Sequence, residues 1–300
     1  MNRRAILIGA LAFAAAPVLA QGQDFSKVVI KTEQVAPGVH VLFGAGGNIG
    51  VSVGPDGAFL IDDQYAPLTP KILDAVKAIG PQPVRFVLNT HWHGDHSGGN
   101  ENLGSTGAVI VAHDNVRVRM STEQFIGAMN TKVPPSPKAA LPVVTFADAV
   151  TLHLNGQTIR AVHVAPAHTD GDTLVRFEEA NVVHMGDTYF ASGYPFIDLS
   201  SGGSALGMIA AIDKGLALGD ANTRYIPGHG PVTGRTELRA YRTMLADIVA
   251  KVQAGIRAGQ SLDAILAAKP TAAYDAKWGG GFINAERIVR IVHASLTAKR

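Results

Sequence analysis

Cysteine is absent from the 300-residue chain. Disulfide bonds and thiolate metal ligands are therefore excluded, and any metal site must use His, Asp, Glu or backbone groups. The chain also lacks an excess of charge. Its net charge of +2 comes from Arg3 and Arg4. Both lie within the first twenty residues, which contain no Asp or Glu. Because the remainder is neutral and has no cluster of Lys and Arg, a nucleic-acid-binding surface is disfavoured.

The first twenty residues have the features of a secretory signal peptide. Arg3 and Arg4 form its charged start, an apolar stretch follows at residues 5–16, and cleavage is predicted after Ala20. The apolar stretch is shorter than the roughly 20 residues of a membrane-spanning helix, so an uncleaved anchor is the less favoured alternative. The arginine pair also partly resembles a twin-arginine signal. The mature protein is expected in the periplasm or outside the cell, without stable membrane insertion.

The remaining chain alternates between strand-like and helix-like segments. Strands are predicted at residues 28–34, 39–43, 48–53, 58–62, 84–89, 108–112, 150–154, 158–164, 173–178, 181–185 and 224–226. Helices are predicted at residues 68–79, 116–129, 204–218, 237–258, 262–268 and 285–298. Residues 131–142 contain four prolines and are predicted to form an exposed loop. We predict a layered α/β structure with a single domain over residues 27–300, comprising a core at 28–232 and C-terminal helices at 233–300.

The most informative segment is HWHGDH at residues 91–96, which follows an apolar, strand-like run. Residues two apart in an extended segment point the same way, so His91 and His93 can bind one metal ion. Past the glycine, Asp95 and His96 can reach a second ion. Imidazole and carboxylate donors without thiolate favour zinc or a similar divalent first-row metal. The alternative is a polar loop that contains histidines by chance, and this density of ligands disfavours it.

Three later segments also end an apolar strand in His or Asp among small residues, and they contain His168, Asp187 and His229. Several strand ends can meet at one edge of a sheet, so these side chains can converge. His184, three residues before Asp187, is a candidate partner for the far nitrogen of a metal-bound imidazole.

These segments resemble the metallo-β-lactamase superfamily, whose five motifs occur in order between residues 28 and 232. Asp62 stands in the first motif, residues 91–96 form the second, and the third to fifth contain His168, Asp187 and His229. The resemblance implies an αββα sandwich, with two mixed β-sheets between layers of helices and a dinuclear metal site at one edge.

The resemblance also implies two Zn²⁺ ions per chain, with iron or manganese as alternatives. By this resemblance, one ion is held by His91, His93 and His168, and the other by Asp95, His96 and His229. Asp187 is implied to bridge the two ions. Asp95 is the predicted catalytic residue, which orients the attacking water or carries its proton. Asp62 is expected to orient the ligand loop, and Asp63 beside it to be solvated.

Asp187 also separates branches of the family. Dedicated β-lactamases generally carry Cys or Ser at this motif, whereas glyoxalase-II-like thioesterases and lactonases carry a bridging aspartate. Two metal ions can lower the pKa of a shared water to roughly 7. No Gly-x-Ser-x-Gly segment supports a serine hydrolase. The prediction is a hydrolase of a small carbonyl compound (lactam, lactone, ester or thioester) that uses a metal-activated water, with weak β-lactamase activity.

Two alternatives stay open: a phosphodiesterase of the same fold, and a non-catalytic periplasmic metal-binding accessory protein. The expected partner is a small-molecule substrate. Five aromatic residues follow ligand-bearing strands, and each can line the substrate cleft or belong to the core: Tyr65, Tyr189, Phe190, Tyr194 and Phe196.

Overall fold

The computed structural model describes residues 24–80 and 83–298, so the predicted signal peptide lies outside the described residues. Within these ranges, no helix is long and apolar enough to cross a membrane. The strands are β1 Lys31–Ala36, β2 Val39–Phe43, β3 Ile49–Gly54, β4 Gly57–Ile61, β5 Val84–Leu88, β6 Val109–His113, β7 Gln124–Ile126, β8 Thr131–Val133, β9 Val144–Phe146, β10 Ala149–Leu154, β11 Gln157–His163, β12 Thr173–Phe177, β13 Val182–His184 and β14 Arg224–Ile226. The helices are α1 Thr69–Ile79, α2 Gly94–Ser97, α3 Asn100–Ser105, α4 Asp114–Met120, α5 Ala205–Leu218, α6 Arg235–Arg257, α7 Leu262–Ala267, α8 Asp275–Trp278 and α9 Ala285–Thr297.

Two mixed sheets form the centre of the fold. The larger sheet has the strand order β1-β2-β3-β4-β5-β6-β9, and its strands from β4 onward are parallel to one another. The smaller sheet has the order β10-β11-β12-β13-β14, in which only the last pair is parallel. Parallel neighbours leave their carboxyl ends at one edge of a sheet, which is where the ligand-bearing loops begin.

Alternation along β4 shows how the layers are held together. Phe59 and Ile61 enter the core between the two sheets, where the ring of Phe59 meets the edge of Phe177 at 6.5 Å. Ala58 and Leu60 point to the opposite face and pack with residues of α1. Both faces of the strand are therefore buried, as a sheet covered by a second sheet and by helices requires. The αββα sandwich expected from the sequence is confirmed.

Helices α5, α6 and α9 cover the outer face of the smaller sheet. The buried residues of α6 recur every three or four positions, which places one apolar stripe against the core: Leu238, Tyr241, Leu245, Ile248 and Val252.

The helix predicted over residues 116–129 is wrong beyond Met120, after little more than its first turn. Helix α4 ends at Met120, and the following residues form the hairpin of β7 and β8, with Gln124 opposite Val133. Ser121 and Thr122 hydroxyls bond the carbonyl of Val118 and so satisfy the end of the helix. The predicted loop at residues 131–142 accordingly starts with a strand.

Candidate metal centre

The predicted ligands all lie in segments that follow strands at the same edge of the sandwich, with Asp95 and His96 in the short helix α2. Backbone hydrogen bonds join these segments directly. The N–H of Asp62, after β4, donates to the carbonyl of Leu88 at 2.9 Å, and that of Gly228, after β14, donates to Gly186 at 2.8 Å. The N–H of Asn48 donates to the carbonyl of Gly228 at 2.7 Å, which ties the larger sheet to the loop of the smaller one.

The first group of ligands consists of three buried histidines. One ring nitrogen from each of His91, His93 and His168 lies within 4.8 Å of the others. Nδ1 of His93 and Nε2 of His168 are only 2.9 Å apart.

The second group consists of Asp95, His96 and His229, whose donor atoms also lie within 4.8 Å of one another. Nε2 of His229 lies 3.3 Å from Nε2 of His96 and 3.3 Å from Oδ2 of Asp95. The ring of His96 packs directly against the backbone at Gly47, where a Cβ would overlap it.

Asp187 lies between the two groups and directs one oxygen to each. Its Oδ2 lies 3.5 Å from Nε2 of His168 and 3.9 Å from Nε2 of His91, in the first group. Its Oδ1 lies 3.0 Å from Nε2 of His96 and 3.4 Å from Nε2 of His229, in the second. The structure thus brings all seven sequence-predicted ligands together.

The outer hydrogen bonds of the imidazoles fix which nitrogen faces inward. Oδ2 of Asp62 accepts a bond from Nδ1 of His96 at 2.8 Å and one from the hydroxyl of Thr90 at 2.8 Å. Because this hydroxyl has already donated its proton, it accepts from Nδ1 of His91, 3.0 Å away. In the neutral rings, Nε2 of both histidines therefore presents a lone pair.

The same reasoning applies to the other two histidines of the first group. Nδ1 of His168 donates to the carbonyl of Phe196 at 2.7 Å, and Nε2 of His93 donates to Oδ2 of Asp198 at 3.1 Å. In the neutral rings, the nitrogens that face each other at 2.9 Å both carry lone pairs, and a metal ion or a proton shared between them relieves the repulsion.

One buried atom supports the same conclusion. Among the described residues, Nε2 of His91 has no hydrogen-bond partner, although buried polar atoms are rarely left unpaired. Nitrogen and oxygen donors in this arrangement suit a divalent first-row metal. The residues therefore fit the metal ions that the sequence implies.

The charges of the site act differently on its two halves. Burial is the main reason that the pKa of His168 falls to about 4 and that of His91 far below its usual value, so both rings are neutral near pH 7. Burial also acts to lower the pKa of His229, but Asp187 and Asp95 outweigh it and raise this pKa to about 10. His229 is therefore protonated near pH 7 in the metal-free protein, and a metal ion that binds the second group must displace this proton.

Two of the expectations about neighbouring residues need correction. Asp63 is not solvated: it is 1% exposed, accepts the N–H of Gly99 at 2.9 Å, and burial raises its pKa well above the usual range. His184 does not contact the ring of a ligand. Its Nε2 bonds the carbonyl of Asn48, and its Nδ1 accepts the N–H of Gly186, so it braces the backbone on either side of the site.

Sequence reasoning missed three residues that position the ligands. Asp198 holds His93, Thr90 holds His91, and the amide of Asn48 donates to the carbonyls of Pro227 and Gly230 on the His229 loop. No motif marked Asp198 or Asn48, whose contacts are with residues distant in sequence.

We expect Asp198→Ala to weaken zinc binding by about 10- to 100-fold, because the outer nitrogen of His93 loses its acceptor and the ring is free to turn. Titration against a competing chelator measures the affinity. Asp213→Asn removes a carboxylate from an exposed pair with Arg242 and serves as the control. Unchanged zinc affinity in Asp198→Ala would contradict the role given to Asp198.

A cavity of about 520 Å³ opens onto this centre. Ligands form its floor, and most of its other lining side chains are aromatic or apolar: Tyr65, Ile126, Met129, Phe190, Tyr194, Phe196, Phe282 and Ile283. Among the described residues around it there is no Lys or Arg. Tyr189 belongs to the core instead and packs against Tyr241 with ring centroids 5.0 Å apart.

Comparisons with known proteins agree with this geometry. The chain is 33% identical over 123 residues to a hydroxyacylglutathione hydrolase of Methylococcus capsulatus, covering 41% of this chain and 40% of that one. It is 28% identical over 166 residues to an atrochrysone carboxyl ACP thioesterase of Emericella nidulans, covering 54% of this chain and 47% of that one. The chain spans less than half the length of these curated relatives.

The fold likewise resembles a metallo-β-lactamase from Pontibacter korlensis, with a TM-score of 0.59 and 20% identity over 73% of this chain and 99% of that one. The sequence model of the metallo-β-lactamase superfamily matches residues 43–240, well over half of the chain. All seven residues of the two ligand groups and their bridge fall inside that match, and the chain belongs to the metallo-β-lactamase superfamily.

Proposed function

We propose that this protein is an exported, dinuclear zinc hydrolase that acts on small uncharged carbonyl compounds, with esters, thioesters and lactones preferred to β-lactams. The observation that carries the proposal is the position of Asp187, which directs one carboxylate oxygen to each ligand group. A carboxylate placed in this way can hold two ions close together, as two-metal hydrolysis requires.

The number and charge of the carboxylates support two divalent ions. Four carboxylates either belong to the ligand groups or hydrogen-bond to their imidazoles: Asp62, Asp95, Asp187 and Asp198. Buried negative charges need compensation, and two divalent cations would balance these four. Zinc suits the nitrogen and oxygen donors, and iron or manganese are the alternatives to be tested.

The chain's own residues prepare this centre for hydrolysis. When bound, the metal ions supply Lewis acidity and lower the pKa of a water to roughly 7. Asp95 lies at the floor of the cavity with a quarter of its side chain exposed, so it can orient the attacking water and accept its proton. Tyr65 lines the same cavity, and burial together with Asp95 and Asp187 raises its pKa, which keeps its hydroxyl available as a hydrogen-bond donor.

The walls of the cavity favour an uncharged substrate. A β-lactam or a phosphodiester brings an anionic group, for which the described lining provides no Lys or Arg. The two relatives named above are an acylglutathione hydrolase and an ACP thioesterase, and their names support acyl compounds as the substrate class.

Export is proposed from residues 1–20, whose charged start and apolar stretch have the pattern of a signal peptide. The neutral charge of the remainder favours a small-molecule substrate over nucleic acid.

A panel of substrates on one zinc-loaded sample tests the proposal. We expect p-nitrophenyl butyrate, a butyryl thioester or a butyrolactone to exceed a chromogenic cephalosporin and bis-nitrophenyl phosphate by about 100-fold in kcat/KM, because an unpaired buried charge costs several kcal/mol. A phosphodiester as the best substrate would instead identify a phosphodiesterase. Two zinc ions per chain with no turnover of any substrate would identify a non-catalytic metal-binding protein.

A further inference from the structure

We propose that residues 281–283 and the β7–β8 hairpin form an apolar acyl-binding wall, and that this wall selects substrates with an uncharged, extended acyl chain. The inference rests on the proposed hydrolase function and adds the substrate class. Residues 281–283 lie beyond residues 43–240, which match the family, so this part of the cavity belongs to the chain's own C-terminal region.

The C-terminal segment is fixed against the loop that follows Asp187. The hydroxyl of Tyr194 donates to Oδ1 of Asp275 at 2.8 Å, and its N–H donates to the carbonyl of Trp278 at 3.1 Å. The backbones then pass close together, since a Cβ added at Gly281 would lie 3.7 Å from the Cα of Gly193. These contacts place Phe282 and Ile283 at the cavity.

Two phenylalanine rings connect the metal centre to the mouth of the cavity. Phe196 stacks on the ring of His93 with centroids 5.9 Å apart, and Phe282 meets Phe196 edge to face at 6.1 Å. Phe196 is buried, whereas Phe282 is 58% exposed. Arg287 stacks on Phe282 at 5.1 Å but is not among the residues that line the cavity.

The hairpin supplies the other apolar side chains, and it is anchored where the N–H of Gly127 donates to Ser200 at 3.0 Å. Ile126 is buried, and Met129 is 37% exposed at the cavity. Exposed Met and Phe side chains that converge on one cavity indicate a binding surface for an apolar group.

The charged side chains that line the cavity all belong to the two ligand groups or to the aspartate between them. Asp95 and Asp187 lie at its floor, and no described Lys or Arg lines it. A carboxylate on the acyl chain would lose water without gaining a partner, whereas each methylene would gain from contact with Phe282 and Met129.

A chain-length series tests this selectivity on the zinc-loaded protein. We expect kcat/KM for p-nitrophenyl esters to rise from acetate through butyrate and hexanoate to octanoate, by about threefold per methylene where the chain is buried. The monosuccinate ester should fall about 100-fold below the butyrate, because its carboxylate is desolvated without a partner. Equal rates along the series, or a monosuccinate as good as the butyrate, would overturn the inference.

Substitutions test which side chains produce this preference for long, uncharged acyl chains. Phe282→Ala should lower the ratio of octanoate to acetate kcat/KM by about tenfold through a higher KM, because the ring that contacts the end of the chain is lost. Phe125→Ala is the matched control, since Phe125 is a 49% exposed phenylalanine of the β7–β8 hairpin that does not line the cavity. Met129→Lys should raise the ratio of monosuccinate to butyrate, which gives a gain that misfolding cannot produce. The inference is wrong if Phe282→Ala and Phe125→Ala have the same ratio.

Binding of nonan-2-one separates this inference from the proposed function, because a ketone cannot be hydrolysed. Ligand-observed NMR should detect its binding to the wild type and to Phe125→Ala, and weaker binding to Phe282→Ala. If no ester is hydrolysed but this pattern holds, the hydrolase proposal fails and the acyl-binding wall stands. If esters are hydrolysed and the ketone binds all three proteins equally, the hydrolase stands and the wall is wrong.

Discussion

Removal of the metal ions is expected to abolish turnover, and His93→Ala is expected to reproduce at least about 1,000-fold of that loss, since the metal supplies both Lewis acidity and an acidified water. His93 is a sensitive position because both of its ring nitrogens are used, one towards another ligand and one towards the carboxylate that orients the ring. Its Nδ1 faces Nε2 of His168, and its Nε2 is held by Asp198. Without this imidazole, only His91 and His168 of the first group would remain to hold an ion.

Metal content and turnover must be measured on the same samples. Zinc per chain is determined by elemental analysis, and kcat/KM is determined with the best substrate before chelation, after chelation and after zinc is restored. His153→Ala is the matched control, because His153 lies exposed on β10, away from the ligand groups. Full turnover by the chelated protein or by His93→Ala would refute metal-dependent hydrolysis at this centre.

The fold and the family could be predicted because their signals are local. Segments with strand and helix periodicity indicated the layers, and the ligand residues stand directly after apolar strands. The shared edge of the two packed sheets then brings them together, as His93 after β5 and His168 after β11 show. The roles of the seven ligands and of Asp95 stay predictions until metal binding and turnover are measured.

The residues that orient the ligands could not be predicted in the same way. Asp198 meets His93 across 105 positions in the sequence, and Asn48 meets the carbonyl of Gly230 across 182. Neither residue stands in a motif, and neither has a partner until the loops of both sheets have folded. Such contacts depend on the tertiary structure alone.

The substrate cleft shows the same limit. The sequence left open whether Tyr189 and Phe190 belong to the core or the cleft, and the structure separates these adjacent residues: Tyr189 packs on Tyr241, while Phe190 stacks on His229 at 5.4 Å. Phe282 carried no signal, because it follows a run of glycines far beyond the last ligand. The hairpin that carries Met129 was not predicted, because the spacing of its apolar residues also suits a helix.

Asp187→Asn is the second substitution with a large expected effect. The amide keeps the size of the side chain but removes the negative charge and the second anionic oxygen, so one group loses its shared ligand. We expect zinc to fall from two ions per chain towards one, and kcat to fall by about 1,000-fold or more, because a two-metal centre acts on both the attacking water and the substrate oxygen. Asp213→Asn, with an exposed carboxylate on α5, is the matched control.

A measurement on the metal-free protein distinguishes local loss of charge from general damage. Asp187 is the first of the charges that raise the pKa of His229 to about 10, against the opposing effect of burial. Removing this carboxylate disfavours the protonated ring, so the pKa of His229 in Asp187→Asn should fall, as NMR titration of its imidazole would show. The opposite result, two zinc ions and wild-type turnover in Asp187→Asn with an unchanged pKa of His229, would mean that Asp187 does not bridge the two groups.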